Sequence, residues 1–242
     1  MIKRRHDRLR DSDRLFVHRL GQFPRKPNRW LEGFRIAAAL IIRAWLRIYH
    51  RFEIVGEQQL RTNRSLVLIA NHSSHLDILC LLAALPLRKL QRAFPVAAAD
   101  YFFHSVARTW IAAVVLNALP FGRQLHVRRS LGICAELISQ PGNILIIFPE
   151  GTRSTNGQPQ QFKLGVGALV AGRDVTVVPC WLQGTFEAWP KGQRLPRPKK
   201  VRLIIGNARN FARCGTEKHE IGSIASSLGS AVQQLARAHG TQ

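Results

Sequence analysis

Acid is in short supply in this 242-residue chain: 14 Asp and Glu stand against 36 Lys and Arg, for a formal net charge of +22 at pH 7. A balance so far from neutral excludes an indifferent surface and requires an anionic partner, which could be nucleic acid, an anionic bilayer or a phosphorylated substrate. Cysteine is also sparse. Cys80, Cys134, Cys180 and Cys214 are dispersed, with no CxxC pair. That spacing excludes a disulfide framework and a thiolate metal site, and fits reduced, buried thiols in a reducing, cytoplasmic environment.

Long apolar runs are missing as well. No segment reaches the roughly 18–20 uninterrupted apolar residues that cross a bilayer. The first ten residues are polar and basic and lead into no apolar run with a small-residue cleavage site, so a signal peptide is not expected. The expectation is a peripheral or monotopic protein that lies on the cytoplasmic face of a membrane. No zinc-finger, ribonucleoprotein or helix-turn-helix pattern supports nucleic acid as the anion. No GxSxG elbow is present to make a serine nucleophile, and there is no internal repeat.

What is present sorts into three segments. Residues 1–28 combine many Lys and Arg with Pro24 and Pro27 and read as a basic extension. Residues 29–54 contain an apolar stretch, including Phe34, Leu40, Ile41, Trp45 and Ile48, punctuated by Arg35, Arg43, Arg47 and Arg51. This is an amphipathic helix. It can lie in a bilayer interface, or pack on the domain with its arginines in water.

Residues 55–242 alternate short apolar runs with helical periodicity, the pattern of an α/β domain. The fold class expected is a single mixed, mostly parallel sheet flanked by helices. Strands are predicted over 65–70, 93–97, 143–148, 175–179 and 201–205, and helices over 77–84, 102–116, 129–139 and 217–238. Loops 152–161 and 190–200 are polar, the second rich in Pro, Lys and Arg.

Two strand ends carry chemistry. Ala70-Asn71-His72-Ser73-Ser74-His75-Leu76-Asp77 follows the first of these strands, and catalytic groups gather at the carboxyl ends of such strands. In a regular helix His72 and Asp77 would stand about 140° apart. They pair only if His72 stands in the loop before the helix, with Ser73 or Ser74 as cap and Asp77 in the early turns. Asp77 would then fix the imidazole tautomer and leave the other nitrogen to act as a general base. His75 competes for this role, but its spacing from Asp77 explains it less well.

The second stretch is Ile147-Phe148-Pro149-Glu150-Gly151-Thr152-Arg153-Ser154, again after a predicted strand. A tight turn at Gly151, exposed backbone donors, the Thr152 hydroxyl and the planar Arg153 fork suit an anion.

Asn71-His72-x4-Asp77, with the block at 148–154 some seventy residues later, resembles the glycerolipid (lysophospholipid) acyltransferase family. Leu119-Pro120-Phe121-Gly122-Arg123, Phe162-Lys163-x-Gly165 and Val177-Val178-Pro179 resemble further family blocks in the expected order. The similarity covers about residues 55–206. Gly122 departs from the acidic residue the family often has before the arginine, and Arg128-Arg129 is a second candidate for that contact.

The resemblance implies direct acyl transfer from acyl-CoA or acyl-carrier protein to a hydroxyl of lysophosphatidic acid or a related lysophospholipid. His72 and Asp77 would be catalytic. Arg123, Glu150, Gly151, Thr152 and Arg153 would hold the acceptor, with Lys163 secondary. It implies no metal or cofactor beyond the acyl-donor substrate. Cys80 and Ser73 read as packing and capping residues, and the segments 78–85 and 110–119 as candidate walls of an acyl groove. Two other readings stay open at this point: an O-acyltransferase for an amino-acid-containing lipid or a glycolipid, and a non-catalytic basic membrane-binding protein.

Overall fold

The computed structural model describes residues 29–98, 116–121 and 127–240. The basic extension 1–28, most of the predicted helix 102–116, and Arg123 lie outside these residues.

A seven-stranded sheet organises the domain. Its strands are β1 (Glu53–Val55), β2 (Leu66–Ala70), β3 (Ala93–Ala98), β4 (Leu119–Phe121), β5 (Ile144–Ile147), β6 (Thr176–Gln183) and β7 (Arg202–Ile205), in the order β1-β7-β6-β2-β5-β3-β4. All neighbouring pairs are parallel except β6 with β7. The helices are α1 (Arg29–Tyr49), α2 (Leu76–Ala84), α3 (Val127–Ser139), α4 (Leu164–Val170), α5 (Thr185–Ala188) and α6 (Lys218–His239).

The central strands are nearly pure runs of Leu, Ile and Val because both of their faces are covered. In β2 every residue is buried. Val67 and Ile69 join the core beneath α3, α4 and α6, while Leu66, Leu68 and Ala70 join the core beneath α1 and α2. This is the two-residue alternation of a strand.

Strands predicted at 65–70, 93–97, 143–148 and 201–205 are present with shifts of one residue at their ends. The strand predicted over 175–179 runs on to Gln183. Proline ordinarily ends a central strand, but pairing of β6 with β7 starts only at Cys180, so Pro179 stands at the edge of that ladder. The motif block at Leu119 forms β4, and β1 begins two residues before the predicted boundary at 55. Helix α4 carries two glycines that argue against helix on propensity. Gly167 is required by packing, because a Cβ there would lie 2.2 Å from the Ile221 carbonyl oxygen of α6.

Helix α1 sits on the domain in an unexpected orientation. Its arginines do not all face water: Arg35 is buried and donates to Gln91 Oε1 at 2.9 Å and Asn117 Oδ1 at 3.2 Å, and Arg43 donates to the Leu85 carbonyl. Leu46 is fully buried beside them. The outer face instead carries Trp30, Phe34, Leu40, Ile41 and Ile48, with Ile41 71% and Ile48 82% exposed.

Candidate active site

Parallel strands all end at the same edge of a sheet, so the loops after β2, β5 and β6 converge. His72 follows β2 in a loop, and α2 starts at Leu76, which puts Asp77 in its first turn. Asp77 Oδ2 accepts three bonds: from His72 Nδ1 at 2.8 Å, and from the backbone N–H groups of Ser73 at 2.7 Å and Ser74 at 2.8 Å. The two backbone donors lie in the turn before the helix, and the acidic residue in its first turn satisfies them by reaching back. Ser74 Oγ accepts from Leu76 N at 3.1 Å and donates to the Trp189 carbonyl at 2.7 Å. With Nδ1–H held by the carboxylate, His72 keeps Nε2 as its acceptor.

The second motif closes around the first. Glu150 Oε1 accepts the His72 backbone N–H at 3.1 Å, the Ser154 N–H donates to the His72 carbonyl at 2.8 Å, and the Phe148 ring stacks on the imidazole with centroids 4.0 Å apart. Asn71 fixes the third side: its amide exchanges two hydrogen bonds with the Leu182 backbone of β6, at 2.8 and 3.0 Å. The His72 backbone and ring are thus held from β2, β5 and α2 together.

Gly151 turns the chain with φ of 75°, and a Cβ there would lie 2.7 Å from Lys163 Nζ. That φ is what favours glycine here, since the Lys163 ammonium ends a flexible side chain that could move aside. Arg153 donates to His75 Nε2. His75 therefore pairs with an arginine rather than with Asp77.

A cavity of about 570 Å³ opens at this edge. Its polar part includes His72, His75, Thr152, Arg153, Lys163 and Lys191. Its apolar part is built from the carboxyl ends of β3 and β4 and from α3 and α4, including Val96, Phe121, Leu131 and Val166. Of the segments predicted as acyl-groove walls, Ile78, Leu116 and Ala118 line it. Cys80, Leu81 and Leu85 belong to the core on the other face of the sheet.

Predicted site residues separate accordingly. His72, Gly151, Thr152 and Arg153 line one cavity, and Asp77 stands behind His72. Glu150 is 1% exposed and does not line the cavity; it holds the His72 loop instead. Burial raises its carboxyl to about 7, and the nearby Asp77 charge adds to the rise, against the bond from the His72 backbone. Arg128 and Arg129 are exposed on α3 and do not line the cavity. Burial raises the Cys80 thiol far above its ordinary range, so it stays protonated and is a poor nucleophile. Sequence reasoning missed Lys191 and the Phe148 ring against His72.

The Acyltransferase family model matches residues 51–183, more than half of the chain. The chain belongs to the acyltransferase family. A 1-acyl-sn-glycerol-3-phosphate acyltransferase of Chlamydomonas reinhardtii is 30% identical over 166 residues, covering 66% of this chain and 47% of that protein. The alpha enzyme of that name from Mus musculus is 25% identical over 170 residues, covering 69% and 57%. This acyltransferase-family chain therefore spans about half the length of the curated relatives it matches. The crystal structure of the 1-acyl-sn-glycerophosphate acyltransferase PlsC from Thermotoga maritima has the same fold: TM-score 0.67 at 20% identity, covering 94% of this chain and 89% of that one.

Proposed function

We propose that this chain transfers a fatty acyl group from the thioester of acyl-CoA or acyl-carrier protein to a hydroxyl of lysophosphatidic acid or a related lysophospholipid. The observation that carries the reading is the His72–Asp77 pair at the mouth of a cavity that is cationic at one part and apolar at another. Arg153, with Thr152 and Lys163, suits a phosphate through its planar donors and the ammonium charge. The apolar part suits an acyl chain, which gains about 0.8 kcal/mol per buried methylene.

In the step proposed, His72 Nε2 takes the proton of the acceptor hydroxyl as its oxygen bonds to the thioester carbonyl carbon. The tetrahedral intermediate collapses, the C–S bond breaks, and the thiolate leaves with the proton returned by the imidazolium. Asp77 stabilises the positive ring and holds its tautomer. The loop bonds from Glu150 and Ser154 keep the ring in place.

The chain would work at the cytoplasmic face of a membrane. Among the described residues no helix is long and apolar enough to cross one. The outward apolar stripe of α1 and the net charge of +22 support interfacial binding to an anionic bilayer.

His72→Ala should lower acceptor-dependent release of free thiol from acyl-CoA by about 100- to 10,000-fold, the usual contribution of a general base. Circular dichroism should report an intact fold. Full turnover by this variant would overturn the mechanism. Release stimulated by an amino-acid-containing lysolipid or a glycolipid, but not by lysophosphatidic acid, would keep the chemistry and reassign the acceptor.

A further inference from the structure

Residues 190–200 contain five cations, Lys191, Arg194, Arg197, Lys199 and Lys200, and no acidic residue occurs over 188–216. Lys200 is bound to Glu53 at 2.7 Å. The other four are exposed and have no carboxylate partner among the described residues.

This loop is pinned. Arg197 N–H donates to the Ala188 carbonyl at 2.7 Å and Trp189 Nε1 to the Gln193 carbonyl at 3.0 Å. Tyr49 Oη donates to the Pro196 carbonyl at 3.0 Å, which ties the loop to the end of α1 beside the exposed Ile48. Pro190, Pro196 and Pro198 limit its backbone freedom further. At its other end, Pro190 bridges to Ser74 and Lys191 lines the cavity. Near the centre of the pinned, basic loop Leu195 points into solvent, 78% exposed.

A surface like this has one fitting occupant. We propose that loop 190–200 is a docking surface for an anionic lipid bilayer, which seats the cavity mouth where α1 meets the membrane. Its cations meet headgroup phosphates while Leu195 enters the boundary of headgroups and acyl chains, the combination that interfacial segments use. Single-stranded nucleic acid would instead be held on exposed aromatic rings, and the loop has none. The loop lies beyond residues 51–183, so the family match does not assign it. The inference rests on the reading of the cavity as a lipid site, but its test does not.

Leu195→Cys in a Cys214→Ser background, labelled with an environment-sensitive dye, should blue-shift with phosphatidylcholine vesicles containing phosphatidylglycerol. It should shift far less with phosphatidylcholine alone, and not with an RNA oligomer. Combined replacement of Arg194, Arg197 and Lys199 by Gln should weaken binding to the anionic vesicles by more than about tenfold. That variant should turn over short-chain, water-soluble donor and acceptor at the parent's rate. No dye shift with anionic vesicles, an equal shift with RNA, or unchanged vesicle affinity of the triple variant overturns the proposal. Absence of acyl transfer in the parent would instead overturn the proposed activity and leave the dye result to stand by itself.

Discussion

Asp77 answers two demands with one oxygen. It braces the turn before α2 through the N–H groups of Ser73 and Ser74 and orients His72 through Nδ1, which is why a histidine and an aspartate five residues apart meet. Glu150 has a different position. One of its oxygens holds the His72 loop and the other, Oε2, is buried without a hydrogen-bond partner, so burial keeps its carboxyl up near 7, from an ordinary 4.5. The folded state therefore holds a proton that the unfolded chain releases between these values. Glu150 stabilises the fold most below pH 4.5, and that contribution, about 3 kcal/mol for the full shift, is lost as pH rises through 7. Glu150→Gln retains a carbonyl acceptor for the His72 N–H and removes the ionisation. Its Tm should fall less than the parent's between pH 5 and pH 8, and parallel profiles in a thermal melt would rule this account out.

Elements differ in how much of themselves the sequence reveals. Strands β2 and β5 are legible because burial on both faces forces runs of Leu, Ile and Val, and the motifs after them are legible because they resemble blocks of the acyltransferase family. The loop-to-helix junction at His72 follows from spacing alone. Helix α4 is hidden because Gly167 is chosen for contact with Ile221 rather than for propensity. The role of Glu150 is hidden because a carboxylate next to Gly-Thr-Arg looks like a ligand contact, while only the pairing of β2 beside β5 reveals that it faces the His72 backbone. Lys191 joins the cavity through a loop fold that no local pattern encodes. At this scale α3 also makes a prediction, since Leu131 faces the apolar part of the cavity. Leu131→Trp should shorten the room for a chain. A loss of two methylenes of burial lowers kcat/KM for the longest acyl donors by about tenfold, with short donors unaffected, in a competition assay across chain lengths. Equal effects on all lengths would place the acyl chain elsewhere.

For the whole molecule, α1 decides how charge and apolar surface act together. Periodicity identifies an amphipathic helix but not which face turns inward, and here Leu46 and Arg35 are buried on the inner face while Ile41 and Ile48 turn outward. A bilayer would give that outer apolar face hydrocarbon to meet. The apolar stripe and the net charge should separate experimentally. Electrostatic attraction to anionic lipid is screened by salt, with a Debye length near 3 Å at 1 M, whereas burial of Ile41 and Ile48 is not. In sedimentation with anionic vesicles, the parent should lose most of its affinity between 0.05 and 1 M salt, on the order of tenfold or more, and retain a salt-resistant remainder. Ile41→Asp with Ile48→Asp should abolish that remainder, and also the weak binding to neutral phosphatidylcholine, while leaving a steep salt dependence on anionic vesicles. Survival of the salt-resistant fraction in the double variant would show that the stripe on α1 does not enter the bilayer, and that another exposed apolar residue, such as Leu195, supplies the binding that salt does not screen.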